Sequence, residues 1–161
     1  MSDQNAHKAT FAAGQFWNLE ELFRNSHGVL ATQAGYMGGS VEHPTYEEVD
    51  GGKTGHAYVV EVTYDPTQIS YDDLLDMFWA HHNPTTPNQQ GHHSGSQYRS
   101  IIFYHTLAQK DAATLSKENL RHSHKWHHPI VTEILPVTTF YRAEEHHQQH
   151  LHKHGSPSNP A

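Results

Sequence analysis

The segment from Gly55 to Tyr64 alternates between two faces with the two-residue period of a β-strand. The residues on one face are His56, Tyr58, Val60 and Val62, and those on the other face are Ala57, Val59, Glu61 and Thr63. Asp65 and Pro66 follow directly and favour a turn. The chain is therefore predicted to contain a β-sheet, and the elements on either side of this strand determine the fold class.

Elements of helical and strand character alternate along the rest of the chain. Apolar spacing predicts helices over residues 16–25, 70–81, 107–122 and 143–154. The second begins at Ser70 with Asp73 in the capping-box position, and the last has an inner face of Ala143, His147, Leu151 and His154. Further strands are predicted over residues 8–13, 29–36, 97–105 and 130–135, with loops over 37–53 and 82–96. This order indicates an α+β or α/β fold with helices packed on one mainly antiparallel or mixed sheet.

Length and charge limit the classes of protein to consider. The 161 residues fit one domain, which we expect over residues 1–154, followed by a disordered tail over 155–161. No apolar run approaches the roughly 18 residues that span a membrane, and residues 1–8 lack the apolar stretch of a secretory signal. A cytoplasmic location is the default expectation. The net charge of -7 is a poor match to nucleic acid.

Two features of the composition bear on chemistry. The chain contains no cysteine, so it forms no disulfide and supplies no thiol for catalysis. It contains 18 histidines, and histidine is the commonest metal ligand in proteins. Most of these histidines are expected to be ordinary polar surface residues. The composition therefore leaves open both a metal site and a histidine-rich surface.

Several blocks of this sequence resemble the A-type methionine sulfoxide reductases. The principal blocks span residues 14–17, 35–39, 54–58 and 97–100, and further blocks span 44–49, 82–85, 88–91 and 143–148. Together they extend from about Ala6 to His154 in one order. The resemblance implies the fold of that family, a ferredoxin-like α/β sandwich core with extensive coil.

The resemblance also implies roles for individual residues. Phe16 and Trp17 match the aromatic pair that encloses the substrate methyl group, and Tyr36 and Tyr98 match the tyrosines that hydrogen-bond the sulfoxide oxygen. Gln15 stands where the family has its nucleophilic cysteine. A carboxamide is neither a nucleophile nor a redox group, so thiol-based reduction is not expected here.

Other departures from the family pattern suggest replacement chemistry. Tyr58 stands where the family has a glutamate that protonates the sulfoxide, and His93 stands where it has an aspartate. Asn83 and Asp50 replace a further aspartate and a further cysteine. The pattern is read as a pocket that keeps its aromatic box and changes its reactive groups, with Gln15, Tyr36, Tyr58 and Tyr98 as candidate catalytic residues.

A metal centre is one way to supply that chemistry. His56 shares a strand face with Tyr58, His93 occupies a pocket position, and His147 lies on the inner face of the last predicted helix. Three convergent histidines suit a mononuclear metal, with Fe(II) or Cu for O₂ chemistry and Zn for hydrolysis. His56 and His147 also match histidines of the family, so a structural role remains the alternative for both.

Three functions are compatible with these residues. The first is a metal-dependent oxidoreductase or oxygenase that acts, with O₂, on a small sulfur-containing or amino-acid-like substrate. The second is a non-catalytic protein that binds methionine sulfoxide or a related ligand. The third is a histidine-rich metal-handling protein. The sequence favours the first and leaves the metal, the substrate and the oligomeric state open.

Overall fold

The computed structural model describes residues 6–154, which form a sheet with helices and long loops. The strands are β1 His7–Ala13, β2 Val29–Met37, β3 Ala57–Tyr64, β4 Gln89–Gln90, β5 His93–Ser94, β6 Ser100–Tyr104, β7 Glu133–Pro136 and β8 Tyr141–Arg142. The helices are α1 Phe16–Arg24, α2 Tyr46–Asp50, α3 Tyr71–His81, α4 Leu107–His122 and α5 His150–His154. None of the helices in this part of the chain is both long enough and apolar enough to cross a membrane.

The main sheet has the strand order β7-β6-β1-β3-β2-β8. Its four central strands, β6-β1-β3-β2, pair antiparallel with one another, and α1 and α3 provide the crossovers between them. This is the ferredoxin-like order. Because β7 adds parallel to β6, the whole sheet is mixed. The predicted α+β fold with a ferredoxin-like core is confirmed.

The two faces of β3 contribute to different parts of the core. Tyr58, Val60 and Val62 belong to the larger cluster, which also holds the buried residues of α1 and α3. Ala57 and Val59 belong to a smaller cluster on the opposite face. The predicted alternation along this strand is therefore confirmed, although the strand begins after His56 rather than before it.

Local capping fixes where two helices begin. The Ser70 hydroxyl accepts from the Asp73 backbone N–H, and the Asp73 carboxylate accepts from the Ser70 N–H, as the sequence predicted. Thr45 and Glu48 form the same reciprocal pair at α2, a helix within the predicted 37–53 loop. This cap sets the position of Tyr46, the first residue of α2.

The C-terminal segment differs from its prediction. A helix over 143–154 is wrong: the chain forms β8, then a 3-10 turn over Glu145–His147, and only then α5. Gln148 is buried and bonds the backbone of Ala34, which ties the segment to β2 and interrupts the helix. Gln149 follows with a left-handed φ of 52°. The predicted 97–105 strand also starts later, at Ser100, after a 3-10 turn over Ser96–Tyr98. The expected tail, 155–161, lies outside the described residues.

Candidate ligand-binding site

A cavity of 610 Å³ lies at the end of the sheet where α1 begins. Its walls come from the start of α1, from α2, and from the loops that follow α3. The residues that line it are Ala13, Gln15, Trp17, Asn18, Tyr46, Asp50, His81, His82, Gln90, Gly91, His93 and Tyr98. The cavity therefore gathers several of the residues that the sequence singled out.

An aromatic cluster centred on Phe16 forms the floor of this region. Phe16 is fully buried, and its ring centroid lies 5.0 Å from that of Tyr58, 5.9 Å from Tyr36 and 5.7 Å from His147. Trp17, which is only partly buried, stacks against His147 and Tyr46 and lines the cavity. The structure thus brings Phe16, Trp17 and Tyr36 together, with Trp17 as the member exposed to a ligand.

Gln15 lies at the entry to α1. Gly14 turns the chain out of β1 with a φ of 86°, and Gln15 becomes the N-cap residue. Its Oε1 accepts from the Phe16 N–H at 3.0 Å, and its Nε2 donates to the Tyr46 hydroxyl at 2.9 Å. Because an amide nitrogen carries two hydrogens, a second N–H remains for a ligand in the cavity.

Two of the predicted catalytic tyrosines share one carboxylate. Asp50 Oδ1 accepts hydrogen bonds from the Tyr58 hydroxyl at 2.8 Å and from the Tyr98 hydroxyl at 3.0 Å. Burial, reinforced by these bonds, raises the pKa of Tyr98 to about 12 and the pKa of Tyr58 well above its usual range. Both phenols are therefore protonated donors at neutral pH, and each gives its single hydrogen to Asp50.

A second carboxylate engages the remaining predicted tyrosine. Glu144 accepts from the Tyr36 hydroxyl at 2.7 Å and from the Tyr46 backbone N–H at 2.9 Å. Burial opposes ionisation of Glu144, but these hydrogen bonds outweigh it and lower its pKa, while burial raises that of Tyr36. Sequence reasoning missed Tyr46, Glu144 and the role of Asp50, although the first two lie in blocks that carried the resemblance.

The predicted metal-binding histidines have separate surroundings. His56 uses both ring nitrogens: Nδ1 accepts from the Gly39 N–H at 3.0 Å, and Nε2 donates to the Val41 carbonyl at 2.7 Å. His147 Nδ1 accepts from Trp17 Nε1 at 3.2 Å, and its buried Nε2 has no hydrogen-bond partner among residues 6–154. His93 is exposed and stacks on Tyr98, with ring centroids 4.9 Å apart. Of the three, only His93 lines the cavity.

Comparison with known proteins decides the family. A model of the family described as peptide methionine sulfoxide reductase matches residues 7–160. The chain belongs to this family. It is 56% identical over 153 residues to "Peptide methionine sulfoxide reductase MsrA" of Methanoculleus marisnigri, which covers 95% of this chain and 93% of that protein.

Solved structures agree with this assignment. Mxr1 of Saccharomyces cerevisiae in its reduced form superposes with a TM-score of 0.90 at 34% identity, over 97% of this chain and 90% of that one. Methionine sulfoxide reductase A of Corynebacterium diphtheriae superposes with a TM-score of 0.85 at 33% identity, over 97% and 78% of the two chains. The fold is therefore that of the family over almost the whole described length.

These findings overturn the predicted metal chemistry. Relatives that are 56% identical are named as methionine sulfoxide reductases, and within residues 6–154 no group of three or more His, Asp or Glu side chains could hold a metal ion. The predictions of a metal-dependent oxygenase and of Fe(II) or Cu as cofactor are therefore wrong, and within the described residues the structure does not bring His56, His93 and His147 together as one group. Spacing misled because it cannot reveal that backbone groups already occupy both nitrogens of His56.

Proposed function

We propose that this chain binds methionine sulfoxide in the cavity beside α1 without reducing it by the thiol route. The observation that carries the proposal is the identity of Gln15. The chain belongs to the reductase family but contains no cysteine, and Gln15 holds the N-cap position of α1 inside the cavity. A family member with no thiol retains a place for the ligand and lacks the group that accepts its oxygen.

The residues around Gln15 suit a methyl sulfoxide. The second Nε2 hydrogen of Gln15 would donate to the sulfoxide oxygen, and the N-terminus of α1 favours the negative end of the S–O dipole. Trp17 offers an aromatic surface to the sulfur and methyl group, and sulfur–aromatic contacts are favourable. The Phe16 ring packs beside the Trp17 ring, with centroids 6.5 Å apart.

The phenols take a positioning role in this proposal. The family resemblance assigns Tyr36 and Tyr98 to the sulfoxide oxygen, but both donate to carboxylates, as Tyr58 does. A phenol has one hydrogen to give, so the ligand oxygen depends on Gln15 instead. We take residues 1–154 as the single domain that carries this activity, and a cytoplasmic location remains a prediction.

Installing the missing thiol tests the proposal. In Gln15→Cys, the thiolate would attack the sulfoxide sulfur and take its oxygen as a sulfenic acid, while the sulfoxide is reduced to the sulfide. The N-terminus of α1 would help to ionise that thiol. We expect about one N-acetylmethionine methylamide per chain from N-acetylmethionine sulfoxide methylamide when no reductant is added.

Gln15→Ser is the matched control, because it has the size of cysteine and no redox chemistry. Both variants lack the Nε2 donor, so both should bind the sulfoxide more weakly than the wild type and equally to each other, and Gln15→Ser should form no sulfide. If Gln15→Cys binds the sulfoxide but produces no sulfide, residue 15 does not face the sulfur and the proposed binding mode is wrong.

A further inference from the structure

The cavity beside α1 carries negative charge and no fixed positive charge. Asp50 lines it, and none of its lining residues in the described part of the chain is a lysine or arginine. His81 and His82 also line it, but burial lowers the pKa of both, to about 4 for His82, so they are neutral at pH 7. His93 is the remaining basic side chain of the lining, and it stacks on Tyr98. A ligand that enters this cavity therefore meets the Asp50 carboxylate with histidines as the only basic side chains among the described lining residues.

The geometry of Asp50 leaves acceptor capacity for a ligand. Its Oδ1 takes both phenol hydrogen bonds, from Tyr58 and Tyr98, whereas Oδ2 has no hydrogen-bond partner among residues 6–154. A carboxylate has about four acceptor sites in total. A neutral sulfoxide has neither a hydrogen to donate nor a net positive charge, so it cannot use this capacity, whereas a cation can.

Aromatic rings line the same cavity as Asp50. Trp17 and Tyr46 are almost parallel, with centroids 6.2 Å apart, and both line the cavity. Tyr98 also lines the cavity. The ring of Tyr58 lies between those of Tyr46 and Tyr98, with centroid distances of 5.6 Å and 5.3 Å. One face of each lining ring is stacked on a histidine: Trp17 on His150, Tyr46 on His147 and Tyr98 on His93. The faces of aromatic rings attract cations within about 6 Å, so a methylated cation would use the opposite faces.

We infer that the cavity prefers a methylated cation, an S-methylsulfonium or a quaternary N-methylammonium group, over a neutral sulfoxide. This inference rests on the proposed function, because it uses the same cavity and a ligand of nearly the same shape. The S-methylsulfonium of methionine is methionine sulfoxide with its oxygen replaced by a methyl group and a positive charge added. The aromatic walls contact the methyl groups, and Asp50 supplies the opposite charge. A primary ammonium is more strongly hydrated, so it enters less readily.

Isothermal titration with matched ligands tests this inference. The probes are the N-acetyl methylamides of S-methylmethionine, N-trimethyllysine, lysine and methionine sulfoxide, each titrated into the full chain. We expect the better methylated cation to bind about tenfold or more tightly than the sulfoxide and than lysine. The comparison of the two cations identifies which methylated centre the cavity takes.

Asp50→Asn should remove most of that preference, because it preserves shape and an acceptor oxygen while removing the charge. Glu47→Gln is the matched control, since it makes the same charge change on α2 outside the cavity lining. Added salt should weaken cation binding more than sulfoxide binding, which gives a second measurement that needs no variant.

The outcomes separate the two proposals. If the sulfoxide binds and both methylated cations bind equally or more weakly, the inference fails while the proposed function stands. If cation binding survives in Asp50→Asn unchanged, the role of Asp50 is refuted. If none of the ligands binds, both the inference and the proposed function fail.

Discussion

Replacing Gln148 by methionine should weaken the attachment of the C-terminal segment to β2. Gln148 is only 4% exposed, and its Oε1 accepts from the Ala34 N–H at 2.8 Å. Its Nε2 donates to the carbonyls of Ala34 and Ala143, both at 2.8 Å. Methionine has a similar length and can make none of these bonds, so the substitution isolates the hydrogen-bonding contribution.

The expected loss follows from which groups are left without partners. The Ala34 carbonyl keeps a bond from the Ala143 N–H at 2.9 Å, but the buried Ala34 N–H loses its acceptor. An orphaned buried donor costs roughly 1–3 kcal/mol, and each of the other two bonds contributes about 1 kcal/mol. We therefore expect Gln148→Met to lower the free energy of unfolding by about 3–5 kcal/mol.

Urea denaturation of the wild type and the variant measures this quantity. Gln33→Met is the matched control, because Gln33 is an exposed residue of β2 and its replacement should change stability by less than about 0.5 kcal/mol. A loss below about 1 kcal/mol in Gln148→Met would refute the argument, since it would show that the C-terminal segment does not depend on these bonds.

Three further substitutions or conditions test other parts of the structure. Burial lowers the pKa of His82 from 6.5 to about 4, so this histidine takes up its proton at a higher pH in the unfolded chain than in the folded one. The free energy of unfolding should therefore fall as the pH drops from 6.5 to 4, by at most about 3 kcal/mol. His82→Gln should show a flatter profile when unfolding is measured at a series of pH values. Tyr58→Phe should cost only about 1 kcal/mol in urea denaturation, because the exposed Asp50 regains water, and a loss above about 3 kcal/mol would contradict this. Gly39→Ala should cost about 3 kcal/mol or more, because a Cβ there would lie 2.3 Å from the His56 backbone nitrogen; an unchanged melting temperature would refute that contact.

Local patterns in the sequence predicted much of the fold. The β3 alternation and the Ser70–Asp73 capping box depend on residues close together in the chain, and both appear in the structure. The predicted helix over 143–154 failed because the bonds that replace it join Gln148 to Ala34, which is 114 positions away in the sequence. The apolar periodicity of one segment cannot predict hydrogen bonds to residues so far away in the chain.

For the candidate site, too, sequence patterns predicted some residues and missed others. Residues 14–17 and Tyr98 were found because they lie in recognisable blocks, and the structure places Gln15, Trp17 and Tyr98 around one cavity. The metal hypothesis failed because His56 is held by the backbone of Gly39 and Val41, and residue type alone does not show that. Asp50 was noted only as a substitution, and its two phenol partners became visible only in three dimensions.

Titration of the wild-type chain with N-acetylmethionine sulfoxide methylamide, followed by chromatography after incubation with dithiothreitol, tests the central claim most directly. The account predicts saturable binding at about one ligand per chain and no formation of the sulfide, because the chain has no cysteine. Repeated conversion of sulfoxide to sulfide, or the absence of any binding, would contradict it.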